Sequence, residues 1–447
     1  MRRSFWKRLH ILSAIVLMLT LCGCAGVSSV DELYTLPKLP AEYTALESQI
    51  DALLSGGSEY AAPLSGSNIQ SVQMVDLDGD KTAEAVAFMR NTGDEKNLKI
   101  HIFREEGDSY VPAALIEGSG SAIYSIYYAD MNGDGWREIL VGWRLSADVQ
   151  ALSVCSVKDF SPTDLLVTTY AKYNVSDFDG DGFLELVVFR SDEEMCAADC
   201  YRWTDESPTL ISTENLSVSM AELNRGRVTP GVLETGESAL FVTGVSGESE
   251  AVTDILALRG GGLYNIAPGT AAGVSSLIFP YQGLFAVDMD GDGVTEVPQP
   301  RPFQTDENAE VQSCIHWCAY DAEGKSHQKK LTYHNSTDGW FLTLPEDWDG
   351  RITVRRSSAG EEATVIFSVR DVESGTLSDF LAIYTFTGPS REYKAARGER
   401  FILGRQLEAV HAAEFLKGNA DFDYAMDETE LRGAFSFILT EWTTGDN

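Results

Sequence analysis

The chain is 447 residues long, 44% hydrophobic and 10% aromatic, which are values of a globular protein with room for two or three cores. Its 34 basic residues are outnumbered by 68 acidic ones, for a net charge of −34. A field of that sign repels nucleic-acid phosphates and draws cations, so nucleic-acid binding is set aside and cation binding is favoured.

Residues 1–23 read as a targeting segment outside the fold. Arg2, Arg3, Lys7 and Arg8 form a positive start, and Ile11 to Leu21 form an apolar run. That run is shorter than the ~20 residues of a membrane-spanning helix. It closes on Leu21-Cys22-Gly23-Cys24, which resembles the bacterial lipobox. The resemblance implies cleavage before Cys24, lipidation of its sulfur, and a mature chain anchored at the cell membrane and facing the extracellular side. A plain secretory signal or an uncleaved anchor is the alternative. Loss of four basic residues leaves 30 basic and 68 acidic ones, a mature charge of −38.

Residues 24–64 read as a tether and a short helix. Leu36-Pro37-Lys38-Leu39-Pro40 cannot be regular helix. Between Ala41 and Leu54 the residues Tyr43, Leu46, Ile50, Leu53 and Leu54 fall at helical spacing, and Ser55-Gly56-Gly57 ends the run. From about Ile69 the period becomes two, as in Lys99–Phe103, Ile123–Tyr127 and Leu186–Phe189, with Gly, Asp, Asn and Ser clusters between. That pattern predicts a mainly β domain of many short strands.

Four nine-residue segments share the spacing D-x-[DN]-G-D-x-x-x-E, at Asp76–Glu84, Asp130–Glu138, Asp177–Glu185 and Asp288–Glu296. A hard cation such as calcium takes six to eight oxygens, and side chains at positions 1, 3 and 5 converge when the backbone coils tightly. Glycine at position 4, and usually at 6, permits the left-handed dihedrals of such a coil. Position 7 can offer its backbone carbonyl, so Thr82, Trp136, Phe183 and Val294 need share no chemistry. The closing carboxylate stands at position 9, whereas the EF-hand glutamate stands at position 12, here Ala87, Val141, Val188 and Gln299. Ordinary acidic hairpin turns are the bland alternative. Four identical spacings, each flanked by β pattern, favour metal, about four calcium ions in all. Lys81 replaces glycine in the first loop and Asn132 replaces aspartate in the second, so weaker sites are expected there.

The loop starts lie 54, 47 and 111 residues apart, the last about two ordinary periods. In that wide interval Val232–Val242 reads as a repeat that kept its strands and lost its ligands. Repeats of about 50 residues with four strands each predict a β-propeller over 65–335. In the first, the strands are expected at Val72–Val75, Glu84–Met89, Leu98–Phe103 and Tyr110–Leu115. The segments resemble the FG-GAP/VCBS repeats of integrin α-subunits and bacterial surface proteins, and the lipobox extends the likeness to VCBS-repeat lipoproteins of Gram-positive bacteria. The resemblance implies metal ligands at Asp76, Asp78, Asp80 and Glu84, at Asp130, Asn132, Asp134 and Glu138, at Asp177, Asp179, Asp181 and Glu185, and at Asp288, Asp290, Asp292 and Glu296. Pro298, Pro300 and Pro302 after the fourth loop point to an edge or irregular blade.

Residues 336–447 are expected to form a small C-terminal α+β domain, with a further blade as the rival. Strands are expected at Trp340–Leu344, Ile352–Val354, Ala363–Val369 and Phe380–Phe386, then a helix from Glu428 to Thr440 capped by Asp427. Trp340 and Trp348 could be ligand platforms, although core packing is the commoner use of tryptophan. Cys155, Cys196, Cys200, Cys314 and Cys318 read as buried free thiols, since four residues on a strand span roughly 13 Å, too far for a disulfide within either C-x-x-x-C pair. No metalloprotease, nucleophile-elbow or phosphate-loop motif occurs. The expected function is a non-catalytic, calcium-binding surface lipoprotein for adhesion to a protein or glycan, or for envelope assembly. The alternative is a propeller-type carbohydrate-active hydrolase or lyase.

Overall fold

The computed structural model describes residues 44–438, apart from 108, 148, 193–194, 205–206, 248, 270–273, 304–311 and 371–375. The targeting segment, Cys24, the proline-rich tether and the last part of the expected C-terminal helix lie outside the described residues. The described residues divide into two compact units, one holding 44–57 with 105–107 and 109–111, the other the rest.

In the first unit the helix is described from Thr44 to Ser55, with Leu46 and Ile50 buried on one face. The Gly56 amide donates to the Ala52 carbonyl and that of Gly57 to Leu54. Gly57 then turns away with φ 93°, a dihedral that favours glycine.

Six antiparallel sheets are described, nearly all of their residues in the second unit. In the first, Val72–Val75, Glu84–Arg90, Leu98–Glu106 and Ser109–Gly118 follow one another, and Glu59–Tyr60 also pairs with Glu84–Arg90. The second is the meander Ala122–Ala129, Glu138–Arg144, Gln150–Ser156 and Thr163–Tyr170. The third is Lys172–Ser176, Glu185–Asp192, Met195–Thr204 and Ser207–Asn215. The fourth is Arg227–Val232, Ser238–Ser246, Glu250–Arg259 and Gly262–Asn265, with Ile278–Pro280 added beside its third strand. The four strands expected in the first repeat are therefore present, each within a few residues of its expected bounds.

Packing explains this order. The strand after each of the first three loops is apolar without interruption, because sheets cover both of its faces. In Glu84–Arg90, Val86 and Phe88 join Ile139 and Val141 in a core between the first two sheets. Leu140 with Leu186 and Val188 fills the next interval, and Val187 and Phe189 with Leu240 and Val242 the one after. Phe241 and Ile255 with Val297, Cys318 and Tyr320 join the fourth sheet to the fifth. Each core is shared by sheets adjacent in the chain, a propeller-type succession.

The fifth sheet runs Val297–Pro302, Ser313–Tyr320, Ser326–Asn335, Trp340–Leu344 and finally Phe435–Phe437. Pro298, Pro300 and Pro302 do sit on its edge strand, paired on one side with Trp317, Ile315 and Ser313. The strand that should precede the fourth loop shrinks to one bridge, Val287 to Glu296. The expected division after residue 335 falls in a turn, since Ser326–Asn335 and Trp340–Leu344 pair with each other. The sixth sheet runs Ile352–Ala359, Glu362–Arg370, Leu377–Thr387, Ala409–Phe415 and Phe401–Arg405. Trp340 and Trp348 are buried in the core between these two sheets, so neither serves as a platform. The C-terminal helix has its capping box at Asp427 and Glu430 but ends at Ala434, short of Thr440. Phe435–Phe437 instead pairs with Trp340–Leu342, where strand hydrogen bonds and the Trp340 ring outweigh continuation of the helix.

Candidate metal sites

All four acidic loops join a first strand, or its remnant, to the strand that follows, which is doubly buried after the first three loops and an edge strand after the fourth. Position 4 is left-handed in each, at φ 75°, 70°, 75° and 81° for Gly79, Gly133, Gly180 and Gly291. Backbone amides then aim the carboxylates. In the fourth loop Asp288 accepts from Gly291 and Gly293 at 2.7 and 2.9 Å, and Asp292 accepts from Val294 at 2.9 Å. Asp76, Asp130 and Asp177 are held in the same manner by their own loops. Each closing glutamate accepts from the amide of position 2: Leu77 to Glu84 at 2.8 Å, Met131 to Glu138 at 3.0 Å, Phe178 to Glu185 at 3.0 Å and Met289 to Glu296 at 2.8 Å.

These restraints bring ligand atoms together in three loops. Asp76, Asp78 and Glu84 place one carboxylate oxygen each within 4.8 Å of one another, as do Asp177, Asp179 and Glu185, and Asp288, Asp290 and Glu296. Asp80, Asp181 and Asp292 each accept from the amide of position 7 in their own loop. In the second loop Asp130, Asn132 and Asp134 show the same amide contacts around Glu138, with an amide oxygen in place of one carboxylate. Of the position-7 residues Thr82, Trp136, Phe183 and Val294, expected to act through their carbonyls, Trp136 packs its side chain edge-on against Phe160.

The electrostatics fit a cation. Glu84, Glu138, Glu185 and Glu296 are buried. Burial, reinforced by neighbouring aspartates, pushes the carboxyls of Glu84, Glu138 and Glu296 up to about 7, and burial also raises Glu185. Glu296 Oε1 has no hydrogen-bond partner despite complete burial. An anionic oxygen so placed is costly unless a positive charge stands beside it. Where bound, calcium supplies that charge and a scaffold of oxygen coordination; the loop carboxylates would hold it.

Two features escaped the sequence reading. Position 2 is always large and apolar, and in the first three loops its side chain leaves the loop for the inter-sheet core, where Leu77, Met131 and Phe178 are each buried. The second is a chain of backbone bonds between loops. Arg137 N–H donates to Leu77 O at 2.8 Å, Leu184 to Met131 at 3.2 Å, and Thr295 to Val232 at 2.9 Å. Val232 begins the segment expected to have lost its ligands, now a tight turn closed by the Leu233 amide on Glu237 O at 2.8 Å. These bonds tie the first sheet to the second, the second to the third and the fourth to the fifth. Basic side chains also reach the loops: Lys158 lies 2.9 Å from Asp134, Lys329 3.0 Å from Asp292, and Arg202 2.9 Å from Glu185 while also pairing with Asp179.

Residues 76–141, which hold the first two loops, match the FG-GAP-like repeat family. No curated protein matches the chain. Among solved structures it is similar to the exotype rhamnogalacturonan lyase YesX, at 11% identity over 70% of this chain and 76% of that one, with a TM-score of 0.31. A rhamnogalacturonan lyase of Bacillus licheniformis is 10% identical over 79% and 91%, TM-score 0.31. Sqt1 of Saccharomyces cerevisiae is 10% identical over 79% and 99%, TM-score 0.31. Likeness at that level bears on no activity.

The first strands of the second, third and fourth sheets line a cavity of about 760 Å³. Tyr127, Lys172, Tyr173, Asn174, Arg227 and Tyr281 face it, and Arg227 lies over the Phe285 ring at 4.9 Å. Its described lining holds no carboxylate, imidazole or thiol. A carboxylate pair for glycoside hydrolysis therefore has no donor among those residues.

Proposed function

We propose that the chain is a calcium-stabilised, non-catalytic binding module, lipid-anchored through Cys24 on the extracellular side of the cell membrane, with a protein or glycan ligand. The reading rests on one observation: four loops of identical spacing each bury a closing carboxylate, and that of Glu296 has an oxygen with no partner. Because the first three loops are bonded in series and their position-2 side chains enter the inter-sheet cores, and the fourth is bonded to the turn at Val232, ions in them would hold adjacent sheets in register. The cavity, edged by tyrosines, amide and guanidinium, supplies polar and ring surfaces suited to a sugar or peptide.

Removal of metal with EDTA lowers the melting temperature, and calcium restores it better than magnesium, because the ligands are numerous and flexible. Calorimetry of the purified chain checks this; a melting temperature indifferent to both treatments would sink the calcium reading. Binding and turnover on a glycan and peptide panel test the rest. Product formation abolished by a carboxylate substitution outside the loops would establish the hydrolase or lyase alternative instead.

A further inference from the structure

Outside the acidic loops a different set of ligand atoms converges between the fifth and sixth sheets. Cys314 and His316 stand two residues apart, on one face of the strand Ser313–Tyr320. Asp349 follows the short 3₁₀ turn Glu346–Trp348 that leads into the sixth sheet. One atom from each of Cys314, His316 and Asp349 lies within 4.8 Å of the others.

The histidine decides what the cluster is for. It is only 1% exposed, and its Nδ1 lies 2.7 Å from the Gln328 carboxamide oxygen. An amide oxygen only accepts, so Nδ1 carries the proton and Nε2 keeps a lone pair. Nε2 is buried without a hydrogen-bond partner, yet Asp349 Oδ1 stands 3.3 Å from it. Two lone-pair atoms that face each other with no donor between them repel unless a cation joins them. An imidazolium would instead direct an N–H at the carboxylate, and the geometry makes no such bond.

We propose that Cys314, His316 and Asp349 form a mononuclear site for a zinc-class transition-metal ion, with Gln328 as the outer partner that orients the imidazole. A sulfur, nitrogen and oxygen donor set suits zinc and is wrong for calcium, which takes oxygen alone. Thiolate and carboxylate together neutralise the two charges of the ion, which suits a site whose imidazole is buried. Coordination deprotonates the Cys314 thiol, with release of the proton. Three protein ligands leave a fourth position, on the side where Asp349 is 42% exposed.

The test is a cobalt titration of the purified full chain in millimolar calcium, so that the oxygen-only loops are already filled. The expected result is a thiolate-to-cobalt charge-transfer band that saturates at one equivalent and is displaced by zinc. Cys314→Ser removes that band. Asp349→Asn, at a side chain 42% exposed, weakens zinc binding by at least tenfold, and Gln328→Leu by about 10–100-fold. No band in the unaltered chain, or a band that survives Cys314→Ser, overturns the site. A His316 resonance that titrates normally in the presence of zinc would likewise leave only an ion pair with Asp349.

Discussion

Lys81 occupies the loop position that is glycine in the other three, and its φ of 75° holds an L-residue in the left-handed region. That conformation costs roughly 1–2 kcal/mol, of which glycine's extra chain entropy recovers only part. Lys81→Gly is therefore expected to stabilise the protein by about 0.5–1 kcal/mol and to tighten the first loop for calcium, by denaturant titration and calorimetry. Arg202 presents the opposite case. Its guanidinium bridges Glu185 and Asp179, two of the three carboxylates gathered in the third loop. A fixed positive charge there competes with a cation, so Arg202→Met should raise calcium affinity at that loop on the order of tenfold. An unchanged isotherm would show that the arginine swings clear.

The closing glutamates also set a pH dependence. In the metal-free fold Glu84, Glu138 and Glu296 titrate at about 7, against 4.5 when unperturbed. Between those values the folded state holds more protons than the unfolded one. Their contribution is complete below about 4.5 and disappears as pH rises through 7, roughly 3 kcal/mol per site. Stabilisation by calcium should accordingly grow from about pH 5 to pH 8. Glu296→Gln should flatten its share of that slope in paired melts with and without calcium.

At the scale of elements, the junction of the fifth and sixth sheets carries the densest aromatic packing. Trp348 meets Phe380 at 5.0 Å between ring centroids and also Phe367 and Phe422, and its indole N–H donates to Tyr424 O at 2.8 Å. Trp348→Ala should cost about 3–5 kcal/mol by chemical denaturation. The strand Phe435–Phe437 returns from the far side of the sixth sheet to close the edge of the fifth. Its sequence, next to a well-capped start at Asp427, reads as helix, because helical spacing of Leu431 and Phe435 is a local property. The partner that converts it, Trp340–Leu344, lies about ninety residues earlier and has no local signature.

Over the whole molecule the first three acidic loops form a connected series and the fourth is bonded to the turn of the preceding sheet, so metal occupancy and sheet order are coupled. Asp288→Ala should lower the calcium count by about one and should also lower the melting temperature, since the fourth loop is bonded to the turn at Val232. Loss of the ion with no change in melting would separate metal binding from stability.

The loops, the strands around them and the charge that calls for cations were all legible in the sequence. Each nine-residue loop is local: its glycines, aspartates and closing glutamate are near in the chain, so their spacing alone dictates the coil and its backbone bonds. The apolar position 2 of every loop was equally available, as Leu77, Met131, Phe178 and Met289. Only the tertiary structure could place Arg202 across the third loop, bury both tryptophans, or set Asp349 against Cys314 and His316. Those juxtapositions depend on how separate sheets pack, and packing between distant segments leaves no periodic trace in either segment alone.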